Sequence, residues 1–316
     1  DIDKDAVDFV DNYDGTMKEP VLLPTAFPNV LVSANTGIAV GMASQICGFN
    51  LAETCETAIN YIRDPECDLM ATLPAPDFPT GGEIVMDTDA MREIYRTGRG
   101  SFKVRARWRY DARQNIIEVY EIPYTATVEA IMDKVAELVK AGKVKEINDM
   151  RDETDLGGLK LAIDLKRGVD PDKLMAKLFK LTPLMDSFSC NFNILIEGTP
   201  RVMGVGEILD EWVSWRTESV KRRVYFDLKR KQDKLHLLRG LGKILLDIDK
   251  AIAIIRNTER ESDVVPNLME GFGIDQIQAE YVAEIRLRNI NREYILKRTS
   301  ETEALERDIA DLEATL

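Results

Sequence analysis

A chain of 316 residues, 45% hydrophobic, is long enough for two or three units with real cores, which excludes a small disulfide-stapled fold. Its four cysteines, Cys47, Cys55, Cys67 and Cys190, lack C-x-x-C spacing and have only His236 beside them, which excludes a standard zinc site, and no run approaches the ~18 apolar residues of a membrane span. The net charge of -13 argues against nucleic acid only on average: Asp1 to Ala90 holds 16 acids and 3 bases, whereas Trp212 to Lys243 holds 10 bases and 3 acids.

The opening residues Asp1, Asp3, Lys4 and Asp5 have no secretory-signal character, so a soluble cytoplasmic protein is expected. Glu19 and Glu53 bracket a stretch without charge, punctuated by Pro20, Pro24, Pro28, Gly37, Gly41 and Gly48, which reads as packed rather than solvated. Within it, TGIAVGMA (Thr36 to Ala43) places small residues where backbone can approach another surface; spacing alone favours a buried turn feeding a helix. That helix is predicted over about 51–62, with Leu51, Cys55, Ala58, Ile59 and Ile62 at helical spacing. Residues 102–110 alternate strictly, so one strand sets Phe102, Val104, Ala106, Trp108 and Tyr110 against a ladder of Lys103, Arg105, Arg107 and Arg109, with a partner strand at 116–121. The ladder reads equally as a solvated face opposed by glutamates or as a surface that tracks phosphates. Thr127 caps a helix over about 128–141 that Gly142 ends, and the acids Asp149, Asp152, Glu153 and Asp155 read as a solvated turn rather than a magnesium site. Strand 159–165, helix 171–179 and strand 190–196 complete a mixed α+β unit.

No proline interrupts the chain between Pro200 and Pro266, and 207–257 reads as one helix of ~75 Å at ~1.5 Å per residue. Leu238, Leu241, Leu245, Ile248, Ile252 and Ile255 form a coiled-coil seam, broken by Gly240 and Gly242 at ~1 kcal/mol each. Leu305, Ile309, Leu312 and Leu316 repeat the spacing, so the two seams predict an antiparallel arm with a compact head over about 266–297 at its turn. His236 is expected on the surface of the arm.

These segments resemble the A subunits of DNA gyrase and topoisomerase IV over essentially the whole chain. VDFVDNYDG (Val7 to Gly15) is similar to the segment after that family's winged-helix domain, and TGIAVGMA to its DNA-intercalating loop. PDFPTGG (Pro76 to Gly82), YRTGRG (Tyr95 to Gly100) and EIPY (Glu121 to Tyr124) resemble motifs of its tower domain. Arg216, Lys221, Arg222 and Arg223 fall on its basic coiled-coil helix, while FGIDQIQA (Phe272 to Ala279) with Arg286-Leu287 resembles its exit-gate head. One departure is Cys47-Gly-Phe-Asn50, where the family commonly has Pro-Pro-His-Asn.

The resemblance implies an α+β fold: the end of the winged-helix region and the intercalating segment over 1–50, a tower over 51–200, a descending coiled-coil helix over 201–257, a dimerisation head over 258–298, and the start of the returning helix over 299–316. It further implies that Ile38 wedges between base pairs, with Thr36, Gly37 and Gly41 allowing close approach and Lys103, Arg105 and Arg107 contacting phosphate; this displaces the buried-turn reading. Lys221, Arg222, Arg223, Lys229 and Arg230 would line the cavity that holds a transported duplex, and Phe272, Ile277, Ile285, Leu287 and Ile290 would form the dimer contact. The implied partners are double-stranded DNA, a second copy and a B subunit in an A2B2 enzyme, on the chromosome and off the membrane; magnesium and ATP would bind the B subunit, with no cofactor or metal here. The family's nucleophilic tyrosine is expected upstream, so no tyrosine in the chain inherits a catalytic role, and Tyr13 and Tyr95 are expected to pack or cap. The rival reading is a structural coiled-coil dimeriser without DNA chemistry, which accounts for the arm but not for the first half. A self-contained hydrolase would need more than the single histidine.

Overall fold

The chain opens with a hairpin, β1 (Phe9–Asp11) and β2 (Lys18–Pro20), paired from Phe9↔Pro20 to Asp11↔Lys18. The computed structural model describes residues 1–316 in two units: Asp1–Pro24 with Trp215–Leu316, and Thr25–Ser214. Within the second unit come α1 (Asn29–Val32), β3 (Asn35–Ala39), β4 (Met42–Ile46), α2 (Leu51–Arg63), α3 (Leu69–Thr72), β5 (Glu83–Val85), α4 (Thr88–Thr97), β6 (Arg99–Arg105), β7 (Arg107–Asp111) and β8 (Ile116–Glu121). They are followed by α5 (Val128–Lys140), β9 (Ile147–Asp152), β10 (Leu161–Leu165), α6 (Pro171–Leu181), β11 (Met185–Asn191), β12 (Asn193–Ile196) and β13 (Thr199–Val202). The strands form a five-stranded sheet, β3-β4-β11-β6-β5, a four-stranded sheet, β7-β8-β10-β9, and the β12-β13 hairpin, all antiparallel.

Two apolar clusters hold this unit. One gathers Phe49, Phe102, Phe188 and Phe192 with Ile94 and Leu209; the other packs Ile131, Val135, Leu174 and Leu178 of α5 and α6 against Ile117, Val119, Leu161 and Ile163 of the four-stranded sheet. The alternation over 102–110 survives as burial of Phe102, Val104 and Ala106, but the single predicted strand is two. At Ala106, whose N–H donates to the Leu184 carbonyl at 2.7 Å, the chain passes from one sheet to the other. Predicted strand 190–196 likewise divides at Phe192, which is fully buried. Of the acids expected in a solvated turn, Asp149 and Asp152 lie on strand β9, while Glu153 follows it and Asp155 stands at a turn closed by Gly158; all four are exposed, and Arg151 reaches Asp149, Glu153 and Asp164 at 3.0, 3.2 and 2.6 Å. Helix α5 starts at the predicted Thr127 cap, whose side chain accepts the Ala130 N–H, and the chain turns at Gly142 with φ +68°.

Helix α2 appears where expected with a different face inward. Thr54, Thr57, Ala58 and Tyr61 are buried while Leu51, Ile59 and Ile62 are exposed. Burial of the two threonines costs little because each hydroxyl donates to the carbonyl four residues back at 2.7 Å, and Tyr61 donates its hydroxyl to Asp210 at 2.6 Å.

Beyond β13 the chain forms α7 (Val205–Leu245), α8 (Ile248–Asn257), α9 (Val264–Phe272), α10 (Gln276–Ala283) and α11 (Arg292–Thr315). The predicted single helix over 207–257 is therefore two. Asp247 accepts the Lys250 N–H and starts a new helix, a local cap that competes with continuation, and Leu246 is left exposed. After this break the apolar face changes: Ala251 is buried, whereas Ile252 and Ile255 of the predicted seam are exposed. Before it, Leu228, Leu235, Leu238, Leu241 and Ile244 share one cluster with Leu268, Ala279, Leu305 and Ile309, each fully buried Leu contributing ~1.5–3 kcal/mol. Lys231–Asp308, Lys234–Glu301 and Arg239–Glu306 ion pairs join α7 to α11. Gly240 is needed for close approach, since a Cβ there would lie 2.7 Å from the Gln278 side chain, whose amide donates to the His236 carbonyl at 2.8 Å. The architecture is thus mixed α/β, with several antiparallel sheets and one helix of 41 residues.

Candidate nucleic-acid interface

The uncharged segment buries Leu31 and Ile46 to Phe49, but not its middle. Thr36 to Ala43 form the outer part of the β3-β4 hairpin, paired Thr36↔Gln45, Gly37↔Ser44, Ile38↔Ala43 and Ala39↔Met42 across a Val40-Gly41 turn. Gly41 takes φ +77°, which the turn requires and which a Cβ resists. All five residues of β3 are exposed, Ile38 is 90% exposed, and Val40 at the tip is fully so. A Cβ at Gly37 or Gly41 would meet nothing within 4 Å, so neither glycine is required by packing, and both leave the hairpin surface low. The expectation of packing fails here because a lack of charge does not by itself require burial.

The basic ladder is opposed by acids across the sheet. Arg105 bonds Glu83 at 2.9 Å, Arg107 lies 3.9 Å from Glu83 and 3.8 Å from Glu121, and Arg109 pairs with Glu118, while Lys103 has no carboxylate within ion-pair distance. The solvated-face alternative therefore fits the pairing of Arg105, Arg107 and Arg109, whose own side chains are exposed; the Arg105 pair, open on both sides, contributes ~0–1 kcal/mol.

In the other unit, the acidic N-terminal segment meets the basic stretch of α7. Arg222 donates to the Asp5 carbonyl at 2.7 Å and to the Asp8 carboxylate at 2.8 Å; Asp1 accepts from Arg223 at 2.9 Å and lies 3.5 Å from Arg216; Lys4 bonds Asp227 at 3.0 Å. The Asp8 hydrogen bond, with Asp5 behind it, raises the Arg222 guanidinium above its ordinary value. Lys229 bonds Asp233 one turn on at 3.1 Å, and Lys221 and Arg230 are exposed with no carboxylate partner. Charge counting locates both halves of this arrangement without bringing them together.

The residues expected at the head separate by exposure. Ile277 and Leu287 are 63% and 78% exposed, whereas Phe272 and Ile285 pack partly into the core and Ile290 is half-buried. Asp275 caps α10 in a capping box with Gln278 and also pairs with exposed His236; the cap and the imidazole hold its carboxyl below the usual range. Tyr95 packs as expected, donating to the Leu73 carbonyl at 2.8 Å, and burial pushes its hydroxyl up; Tyr13, by contrast, is fully exposed at the β1-β2 turn, where no core lies beneath it. No three His, Cys, Asp or Glu side chains gather as a metal ion would require, and no helix is long and apolar enough to cross a membrane. Two residues unremarked in the sequence, Asn191 and Asn193, both donate side-chain N–H groups to the Ala43 carbonyl, opposite Ile38.

The uncharged hairpin is thus exposed on an antiparallel sheet, and a long helix with a basic stretch follows. Compared with known proteins, the chain belongs to the family of DNA gyrase and topoisomerase IV A subunits, whose model matches residues 1–316. Among individual relatives, it is 39% identical to the DNA gyrase A subunit of Borreliella burgdorferi over 323 aligned residues, covering 100% of this chain and 40% of the relative. It is 37% identical to the chloroplastic/mitochondrial DNA gyrase A subunit of Arabidopsis thaliana and 36% identical to the DNA gyrase A subunit of Halalkalibacterium halodurans, covering 34% and 38% of those proteins. The chain thus spans about two fifths or less of the curated relatives it matches.

Proposed function

We propose that this chain is part of the DNA breakage-reunion subunit of an ATP-dependent type II topoisomerase, where it bends the gate segment of DNA and contributes the lower gate for duplex passage. The observation that carries the reading is Ile38, an isoleucine 90% exposed on an uncharged hairpin; the motif resemblance would make it the family's intercalating residue. An apolar wedge costs a few kcal/mol of unstacking, and burying an isoleucine between bases returns ~1.5–3 kcal/mol. The balance comes from phosphate contacts, for which Lys103 is the cation of the ladder without an acidic partner. Thr36, Gly37 and Gly41 keep the flanks of the wedge small. Strand breakage itself is assigned to the rest of the subunit.

In the same reading, α7 and α11 are the two helices of an antiparallel coiled-coil arm, and α9 with α10 forms the head through which two copies meet about a two-fold axis. Exposed Ile277 and Leu287 suit such a self-complementary contact, and Lys221 and Arg230 are the free cations for a cavity holding DNA. A B subunit completes an A2B2 enzyme, holding the magnesium and ATP. A purely structural dimeriser would explain α7 and α11 but has no use for an exposed, glycine-flanked isoleucine.

The test restores the chain to its full-length subunit, pairs it with the B subunit, and measures relaxation, decatenation and bending of gate DNA for native protein and Ile38→Ala. Bending and strand passage should fall together in the variant. Native bending by Ile38→Ala would return this residue to an ordinary surface position.

A further inference from the structure

The Ile38 hairpin has little to hold it. Strand β4 pairs with β11 at a single position, Asn191↔Gln45, near the base, so the hairpin beyond it extends past the sheet with β3 as a free edge. In an antiparallel ladder bonded and non-bonded pairs alternate, and at every second residue the carbonyl turns away from its partner strand. The Ala43 carbonyl meets two side-chain amides: Asn191 Nδ2 at 2.8 Å and Asn193 Nδ2 at 3.1 Å. Ala43 is the cross-strand partner of Ile38.

The two amides sit on an anchored support. Asn191 ends β11, Asn193 begins β12, and Phe192 between them is fully buried, so alternation sends both amides to one face and the ring to the core. The Phe192 backbone is fixed on both sides, its N–H bonding the Gly98 carbonyl at 2.9 Å and its carbonyl accepting the Met203 N–H at 3.1 Å. The Asn191 amide is also unevenly satisfied: its Nδ2 has Ala43, while its buried Oδ1 has no partner, and the neighbouring Ser44 Oγ is likewise bare.

We infer that Asn191 and Asn193 are positioning residues that clamp the Ala43 carbonyl and thereby fix the height and tilt at which Ile38 meets DNA. This rests on the wedge reading of Ile38. Without the clamp, the hairpin would swing about its base, and the isoleucine would reach the groove only in a fraction of its orientations.

The experiment compares native full-length subunit with Asn193→Ala, Asn191→Ala with Asn193→Ala together, and Ile38→Ala. Amide hydrogen exchange is read at residues 36–44 and at 99–105, and gate-DNA bending by energy transfer between end labels. Exchange over 36–44 should rise roughly three- to tenfold per amide removed, the scale of one net hydrogen bond. Exchange over 99–105 should stay native, and bending should fall towards the Ile38→Ala level. Unchanged exchange over 36–44, or faster exchange with native bending, overturns the inference. If the double variant also loosens 99–105, the single Asn193→Ala variant is judged by the same criteria. Native bending by Ile38→Ala would sink the wedge reading instead, a failure visible separately from the exchange result.

Discussion

Gly98→Ala should destabilise the Thr25–Ser214 unit by about 2–4 kcal/mol. Gly98 ends α4 in the left-handed region at φ +74°, where an L-residue costs roughly 1–2 kcal/mol. A Cβ would be driven into the Met203 carbonyl oxygen, 2.8 Å from its carbon and 3.0 Å from the Phe192 Cβ. That carbonyl cannot retreat freely, because Gly98 O accepts from Phe192 N at 2.9 Å and Phe192 O from Met203 N at 3.1 Å, tying the three segments together. Overpacking of this kind costs ~1–3 kcal/mol, offset by ~0.4–1 kcal/mol from the stiffer unfolded chain. For a unit of this size each kcal/mol moves the melting temperature by roughly 2–4 °C, so the expected drop is about 5–15 °C. Tryptophan fluorescence in a Trp215→Phe background isolates the unit, leaving Trp108 and Trp212 as reporters, both within it. Gly242→Ala is the counterpart: a helix-interior glycine of the other unit whose Cβ meets nothing within 4 Å, it should gain ~1 kcal/mol there. A drop below about 2 °C for Gly98→Ala would refute the steric argument.

Two further substitutions probe the charge pairs. Glu118, its side chain only 13% exposed, is held below the usual carboxylate range by Arg109 first and Lys160 second. Its contribution is therefore present above an ordinary glutamate pKa of about 4.3 and fades as pH falls through the lower folded value. Melting between about pH 6 and pH 3 should accordingly fall less steeply for Glu118→Gln than for native protein, and identical slopes would contradict this. Arg222→Gln removes contacts to Asp5 and Asp8, both largely exposed, so the stability change should stay under ~1 kcal/mol. Exchange at the backbone of residues 5–8 should nevertheless quicken, and more so at low salt; unaltered exchange would mean that something else holds the segment.

What is legible in the sequence follows from residues with one physical option. Thr127, Gly142 and the alternation of Phe102, Val104 and Ala106 leave little choice and behave as expected. Misreadings arise where polar groups find partners that no spacing rule reveals. Thr54 and Thr57 turn inward on their own helix carbonyls, Asp247 caps a new helix within an unbroken apolar period, and Arg151 offsets Asp149 and Asp164 within the sheet. The site shows the same division. Ile38 stands out in the sequence through its motif, but the contacts behind its hairpin do not, because the two asparagines lie about 150 residues away and bond a backbone carbonyl.

The free edge of the five-stranded sheet carries a second consequence. Strand β3 presents unpaired backbone groups along Asn35–Ala39, and the chain has no charged side chain between Glu19 and Glu53 to repel a similar strand. Lysine, proline or a bulge on an edge is the usual protection against strand addition, and Asn35–Ala39 contains neither lysine nor proline. The exposure and lack of charge that the wedge proposal relies on also suit the hairpin to another copy of itself, so on that proposal bound DNA would double as a guard against self-association.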